Sequence, residues 1–395
     1  MDTVSIKLGK PVTVALAPPE VREWGPYQFP GLTRLPNGAI QLSFHVEADS
    51  ATAYGLPPAR AVSTDEGKTW QLLPREEPGS GTAQSWGSRA LHLPNGDWIS
   101  VRQQRPLKVD ALDLPGKPFC ELRGAYGQAT TVYRVEELPS ACGGGWMIYR
   151  LRAGTNKRVE ESPEVHLPGE VRSTVHGVMP LPWFHHLALA PDGALWGVNY
   201  TRRIVDGKYQ ERTPVLILRS ADMGKTWNLW SEILYAPDRN ADPKWDQRAG
   251  NLEPAVNFMP DGSVLCLIRT TDGNGVGPLY LSRSTDNGRT WTTPRVFDDL
   301  GVWPQMLTLK NGVTLAVYGR PGLYVRATAD PSGLQWDERT AIVEPAKHGR
   351  NTCSYAALLP LADDTALVAY SQFNLKNNTG KNCKGIRIRK ITVSP

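Results

Sequence analysis

Short apolar runs alternate along this chain with glycine-centred polar turns, and the turns repeat. Leu35-Pro-Asn-Gly38, Leu93-Pro-Asn-Gly96, Ala190-Pro-Asp-Gly193, Met259-Pro-Asp-Gly262 and Leu309-Lys-Asn-Gly312 each separate two apolar runs, and Leu361-Ala-Asp-Asp364 is a worn sixth copy. Asn-Gly and Asp-Gly tolerate the positive φ that a tight hairpin demands, so each copy predicts two antiparallel strands joined by that turn. The chain ends, about Thr3 to Leu16 and Gly385 to Val393, alternate apolar and polar residues. That period suits half-buried edge strands, and the first strand is expected to complete the last repeat beside the final one.

A second pattern runs out of phase with the first. Ser63-Thr-Asp-Glu-Gly-Lys-Thr-Trp70, Ser220-Ala-Asp-Met-Gly-Lys-Thr-Trp227 and Ser284-Thr-Asp-Asn-Gly-Arg-Thr-Trp291 share the form Ser-x-Asp-x-Gly-x-Thr-Trp, with a stretched copy from Thr328 to Trp336. The Asp side chain can accept backbone N–H bonds, the Gly can take a positive φ, and the indole can cover the hairpin. No base stands beside the Ser, so the octet reads as a turn rather than a catalytic site. Six hairpins, most followed by this second turn, make six four-stranded units. Repeats of about 40–50 residues with four strands each predict an all-β fold, a six-bladed β-propeller of four-stranded antiparallel blades.

A propeller uses residues 1–395 as a single domain. Its blades are expected from about Phe29, Ser88, Phe184, Glu253, Trp303 and Tyr355, with an insertion in blade two at about 103–178 that contains Gly143-Gly-Gly145. Long insertions on a regular scaffold commonly shape a site. The formal charge of +5 comes without a basic run, which argues against nucleic acid, and no apolar stretch is long enough to span a membrane. The first residues lack the regions of a signal peptide, which points to the cytoplasm for the chain as it stands, or to secretion if a leader has been removed. The five cysteines show no metal spacing and are expected as free thiols, and no motif calls for a metal or cofactor.

In each unit the hairpin joins the two innermost strands. The start of the first and the end of the second therefore meet at the opposite end, around a common mouth. Reading off those positions yields Gln28, His45, Glu47 and Asp49; Trp86, Arg89, Arg102 and Gln103; His185, His186, Asn199, Tyr200 and Arg202; Glu253 and Arg269; Trp303, Gln305 and Arg320; Ser354, Tyr355 and Gln372. Arginine binds carboxylates bidentately and indoles stack on sugar rings, so the mouth suits a carbohydrate partner, an oligosaccharide or glycoconjugate bearing negative charge.

These residues resemble the sialidase (neuraminidase) superfamily over nearly the whole chain. Glu253-Pro-Ala-Val followed by Asp261-Gly and Ile268-Arg269 looks like the segment holding the essential Glu and one carboxylate-binding Arg; Tyr318-Gly-Arg320 looks like another, and Tyr355-Ala-Ala-Leu like the segment with the nucleophilic Tyr. The resemblance implies that Glu253 takes the phenol proton and Tyr355 attacks the anomeric carbon, a phenol of pKa about 10 needing such a neighbour. Tyr27-Gln28-Phe29-Pro30 departs from the family's Tyr/Phe-Arg-Ile-Pro: Gln28 stands where the first Arg of the triad is expected, which points away from sialic acid. Asp49 and Glu47 lie in the loop expected to carry the acid.

The leading expectation is an exo-acting glycoside hydrolase that cleaves a terminal acidic sugar with Tyr355, Glu253 and Asp49 or Glu47. Arg269, Arg320, Gln28, His45, His185, His186, Arg202 and Trp303 would line its substrate site. Two alternatives stay open: a lyase on uronic acids using His185 or His186 with Tyr200, and a carbohydrate-binding module without turnover.

Overall fold

The computed structural model describes residues 3–76, 90–101, 103–124, 127–155, 157–273 and 275–394. Trp86, Arg89 and Arg102, expected at the mouth, lie outside these residues. The chain is all-β, and among the described residues helix is confined to short 3-10 turns. Among the described residues no helix is long and apolar enough to cross a membrane.

Among the described residues, six sheets of four or five strands follow one another along the chain. The first holds Gln28–Arg34, Ile40–His45, Ala59–Ser63 and Gln71–Leu72; the second holds Ala90–His92, Trp98–Val101, Ile148–Leu151 and Arg158–Glu161. The third runs from His186–Leu189 to Thr226–Ile233, the fourth from Leu252–Phe258 to Arg295–Asp298, and the fifth from Val302–Thr308 to Thr340–Val343. The sixth is built on Ala356–Ala362, Thr365–Lys376 and Asn382–Ser394. Each opens with the hairpin that its Asn-Gly, Asp-Gly or Asp-Asp turn predicts.

Both halves of the first strand, Ser5–Leu8 and Val12–Leu16, pair antiparallel with Asn382–Ser394. The chain's beginning is thereby stitched to its end. Residues 103–178 are more than an insertion, because they include the outer pair of the second sheet. They also form a small sheet of Cys120–Arg123, Ala129–Arg134 and Val171–Thr174, and lend Glu164–His166 as a parallel fifth strand to the third sheet. That strand covers an edge that would otherwise present unpaired backbone groups.

The core lies between sheets rather than within one. Leu93, Ile99, Phe184, Leu195 and Trp227 join the second and third sheets; Trp196, Val198, Ile217, Cys266 and Ile268 join the third and fourth. Leu267, Leu281, Ala316 and Tyr318 join the fourth and fifth, and Val317, Val325, Val368 and Ile391 the fifth and sixth. Leu32, Leu42, Ala61, Leu367 and Ile386 join the sixth to the first. Burying a Leu or Val fully contributes about 1.5–3 kcal/mol, so these layers hold the sheets together.

The Ser-x-Asp-x-Gly-x-Thr-Trp turns are closed by their own side chains. Asp65 Oδ1 accepts from Ser63 Oγ (2.8 Å) and from the Lys68 and Thr69 amides (3.0 and 2.9 Å), while Thr69 Oγ1 donates to Oδ2 at 2.6 Å. The turn at Ser284 repeats this, and its Gly288 has φ +74 with no room for a Cβ, which would stand 2.1 Å from Trp196 Cη2. The Thr69 hydroxyl and amide hold the Asp65 carboxyl well below the ordinary carboxylate range, and those of Thr290 hold Asp286 at about 2.

A carboxyl whose folded pKa is depressed stabilises the fold fully above its unfolded pKa of about 3.9 and loses that contribution as pH falls through the folded value. The urea midpoint is therefore expected to drop between about pH 4 and pH 2, and Asp286→Asn to flatten part of that drop. Carbon NMR of the folded protein checks it: an Asp286 carboxyl titrating near 4 would remove the turn from the explanation.

Candidate active site

At the entry to the first strands of four sheets stands a residue in the left-handed region: Phe29 (φ 53), Glu253 (φ 44) and Trp303 (φ 47), each second in its strand, and Ser354 (φ 67), two residues ahead of Ala356–Ala362. In three of them a proline follows, and the strand pairing slips there, between Gln28 and Gly31, Leu252 and Ala255, and Val302 and Gln305. A proline has no N–H for the ladder, so the bulge sits where no strand bond is forfeited. Such bulges re-aim side chains, and a non-glycine residue at positive φ costs about 1–3 kcal/mol, sustained by the sheet around it. The same device turns Phe29 and Trp303 into one cavity and points Glu253 at its floor.

Three groups from the fourth and sixth regions of the chain meet there. Tyr355 Oη donates to Glu253 Oε1 at 2.5 Å; Arg269 Nη1 donates to that same oxygen at 2.5 Å and to Tyr355 Oη at 3.0 Å. Glu253 Oε2 accepts the Trp303 backbone N–H at 3.0 Å, so both carboxylate oxygens are engaged. Glu253 and Arg269 are 8 % and 4 % exposed, and a buried ion pair with this many hydrogen bonds is geometrically fixed. Burial, then the charge of Glu253, pushes the Tyr355 phenol well above 10, while Arg269 and Arg320 pull it down. The phenol is thus neutral at rest, beside a carboxylate that can take its proton and a guanidinium that can face the resulting phenolate.

Above the pair opens a cavity of about 470 Å³. Tyr355, Glu253 and Trp303 line one side, His45, Glu47, Asp49 and Tyr54 another, and Trp183, Tyr200 and Gln103 a third. The Trp303 ring lies 4.7 Å from that of Tyr355, and Phe29 links Tyr355 (4.9 Å) to His45 (5.0 Å). Loss of hydration among these groups lowers the His45 pKa, and Asp49 opposes that. The two acids differ in their bonds. Glu47 is paired with Arg75 at 2.5 Å, whereas Asp49 Oδ2 accepts the Trp24 indole N–H at 3.0 Å.

Of the residues expected to bind substrate, His45 and Trp303 line this cavity. The others do not. Gln28 is fully buried; in the orientation that satisfies its neighbours, its amide oxygen accepts from Lys384 Nζ (3.3 Å) and the Gly25 N–H (3.2 Å). The bulge beside it hands the cavity to Phe29, since one extra residue reverses the face a side chain takes. Arg269 lies beneath the Glu253–Tyr355 pair.

Arg320 caps the Cys353 carbonyl at 2.9 Å and borders a different cavity. Arg202 reaches to Thr213 Oγ1 (3.3 Å) and the Ala249 carbonyl (3.4 Å). His186 is buried within its strand, and His185 packs behind the wall, 4.9 Å from Trp303 and 5.0 Å from Tyr200. Tyr54 and Trp183 were not singled out from sequence. The long loop after His45 and the Pro182-Trp183 step ahead of the third sheet were the available signals.

Comparison with known proteins places the chain among repeat folds of this kind. The model of the BNR repeat-like domain family matches residues 154–368. Among solved structures, a protein of unknown function from Dyadobacter fermentans is 19% identical, with 98% of this chain and 99% of that one covered and a TM-score of 0.66. An α-L-arabinanase of Penicillium chrysogenum, solved with arabinobiose, is 15% identical over 97% and 98%, with a TM-score of 0.52. A Hadza microbial sialidase is 14% identical over 93% of this chain and 65% of its own, with a TM-score of 0.51. At these identities the likeness speaks for the fold. No curated protein sequence matches the chain.

Proposed function

Since this chain belongs to the BNR repeat-like domain family, we propose that its six sheets close into one six-bladed propeller over residues 1–395, and that the cavity at its mouth hydrolyses the glycosidic bond of a terminal sugar. Apolar layers between consecutive sheets, the layer joining the sixth to the first, and the pairing of both chain ends support closure. The observation that carries the activity is the 2.5 Å bond from Tyr355 Oη to Glu253 Oε1, both held by Arg269.

In this reading Glu253 takes the phenol proton as the phenolate oxygen bonds to the anomeric carbon, and Arg269 offsets the charge that develops. Asp49 gives a proton to the leaving oxygen. In the second half Asp49 takes a proton from water, the water oxygen replaces Tyr355 on carbon, and Glu253 returns its proton to the phenolate. Two displacements leave the configuration unchanged. Asp49 is assigned the acid because Arg75 already engages Glu47. The aromatic faces of Trp303, Trp183 and Tyr200 supply stacking surface for the sugar.

A panel of 2-fluoro glycosyl fluorides tests the reading, because the fluorine slows release of a covalent intermediate. A sugar mass is expected on the peptide bearing Tyr355 and absent in Tyr355→Phe. Asp49→Asn should slow substrates with poor leaving groups by about 10²–10⁴-fold and spare activated aryl glycosides, with Glu47→Gln near wild type on both. A label found on Glu253 or Asp49 instead would refute the Tyr nucleophile.

A further inference from the structure

Asp49 lines the cavity from an exposed loop, and the residue that grips it, Trp24, does not line the cavity at all. Trp24 Nε1 donates to Asp49 Oδ2 at 3.0 Å, and the Trp24 carbonyl accepts the Asp49 backbone N–H at 3.2 Å. Gly25, at φ +121, lies against the same loop. A Cβ there would stand 2.4 Å from the Asp49 nitrogen and 2.5 Å from the Glu47 carbonyl oxygen, so only glycine permits this approach. The Tyr27 N–H then donates to the His45 carbonyl at 2.7 Å. Residues 24–27 thus hold the loop from His45 to Asp49 by backbone and side chain together.

Trp24 is itself fixed by later parts of the chain. The guanidinium carbons of Arg320 and Arg350 lie 5.4 and 4.9 Å from its ring centre, within cation–π reach. Phe29 and Phe373 meet the ring edge-on at 5.9 and 6.5 Å, and Lys384 Nζ donates to the preceding carbonyl, that of Glu23. The indole therefore ties an exposed loop of the first sheet to the region that supplies Tyr355. Without such a tie, a carboxylate on a loop samples several rotamers.

We propose, resting on the reading of Asp49 as the acid, that Trp24 is a positioning residue for the proton transfer. It fixes both the place of the Asp49 carboxyl and the oxygen that carries its proton. An indole N–H is a donor only, so Oδ2 stays an acceptor whether Asp49 is ionised or protonated. The transferable proton is thereby confined to Oδ1. It passes from Oδ1 to the leaving oxygen in the first half, and Oδ1 takes one from water in the second. Trp24 touches no substrate and acts through Asp49 alone.

Trp24→Phe keeps an aromatic ring and deletes the N–H. Its kcat/KM on aryl glycosides of graded leaving-group acidity is to be compared with that of Asp49→Asn and of the double variant. A fall of about 10–100-fold is expected on poor leaving groups, the order that a misplacement of about 1 Å costs, with activated ones near wild type. On activated substrates kcat and KM should fall together, because the step in which Asp49 activates water becomes limiting. Added to Asp49→Asn, Trp24→Phe should change nothing further, since both act through one carboxyl. Damage to the fold would instead lower kcat/KM on every substrate alike. In Asp49→Ala, at an exposed position, one indole N–H resonance should move, which reads the tether even if Trp24→Phe does not fold.

Near-wild-type rates of Trp24→Phe on poor leaving groups, a uniform or additive loss, or an indole spectrum unchanged in Asp49→Ala overturns the positioning role and leaves Asp49 as the acid. Asp49→Asn without leaving-group dependence overturns the acid, and the role of Trp24 with it.

Discussion

Tyr355→Phe is expected to lower turnover by at least about 10²–10⁴-fold while the protein folds as before, and Glu253→Gln to do the same. The phenylalanine ring keeps its contacts with Trp303 (4.7 Å) and Phe29 (4.9 Å), so the loss is that of one oxygen. If the phenol attacks and the carboxylate takes its proton, neither step exists without the other. The double variant should then be little worse than either single one, because groups acting as a unit are strongly non-additive. Initial rates on a good substrate, with circular dichroism of each variant, decide the matter. Near-wild-type turnover in Tyr355→Phe would remove the nucleophile from this account. An ultraviolet-absorbing product formed by the wild type and lost in His185→Ala would favour elimination instead.

The second large effect belongs to Arg269, and it reaches stability as well as rate. Its Nη1 bridges Glu253 Oε1 and Tyr355 Oη, and the pair is almost closed to solvent. Arg269→Met leaves a buried carboxylate facing a phenol with no cation between them. Removing one partner of a buried ion pair costs about 3–5 kcal/mol, so the urea midpoint should fall accordingly and activity should be lost. Arg269→Met combined with Glu253→Gln removes both charges, and should recover much of the stability and none of the activity. A double variant as unstable as Arg269→Met alone would show that the guanidinium acts by packing rather than by charge. Arg269→Lys should be intermediate, since an ammonium cannot reproduce the guanidinium's reach to two oxygens.

Local chemistry explains why so much of this was readable in advance. An Asn-Gly or Asp-Gly hairpin is decided within four residues, so five such turns and a worn sixth, Asp363-Asp364, placed six sheets without any knowledge of their neighbours. The Ser-x-Asp-x-Gly-x-Thr-Trp turn closes on its own side chains, and the alternating ends pair as their period requires. Repetition then supplied a common reference, which is how Glu253 and Tyr355, 102 residues apart, could be expected to meet, as they do at 2.5 Å.

Only the tertiary structure decided which side chains at those strand ends face the cavity. A bulge shifts the face by one residue, and its presence depends on pairing with another strand, so Phe29 took the position that Gln28 held in the sequence reading. Arg269 and Arg320 flank the Tyr355 phenol from different surroundings, one beneath the carboxylate and one beside a second cavity, although their strand-end positions are alike. Tyr54, Trp183, Trp24 and Arg350 come from loops whose paths follow no period. Their place was set by packing between sheets, and a local pattern contains no information about a contact made by residues hundreds of positions away.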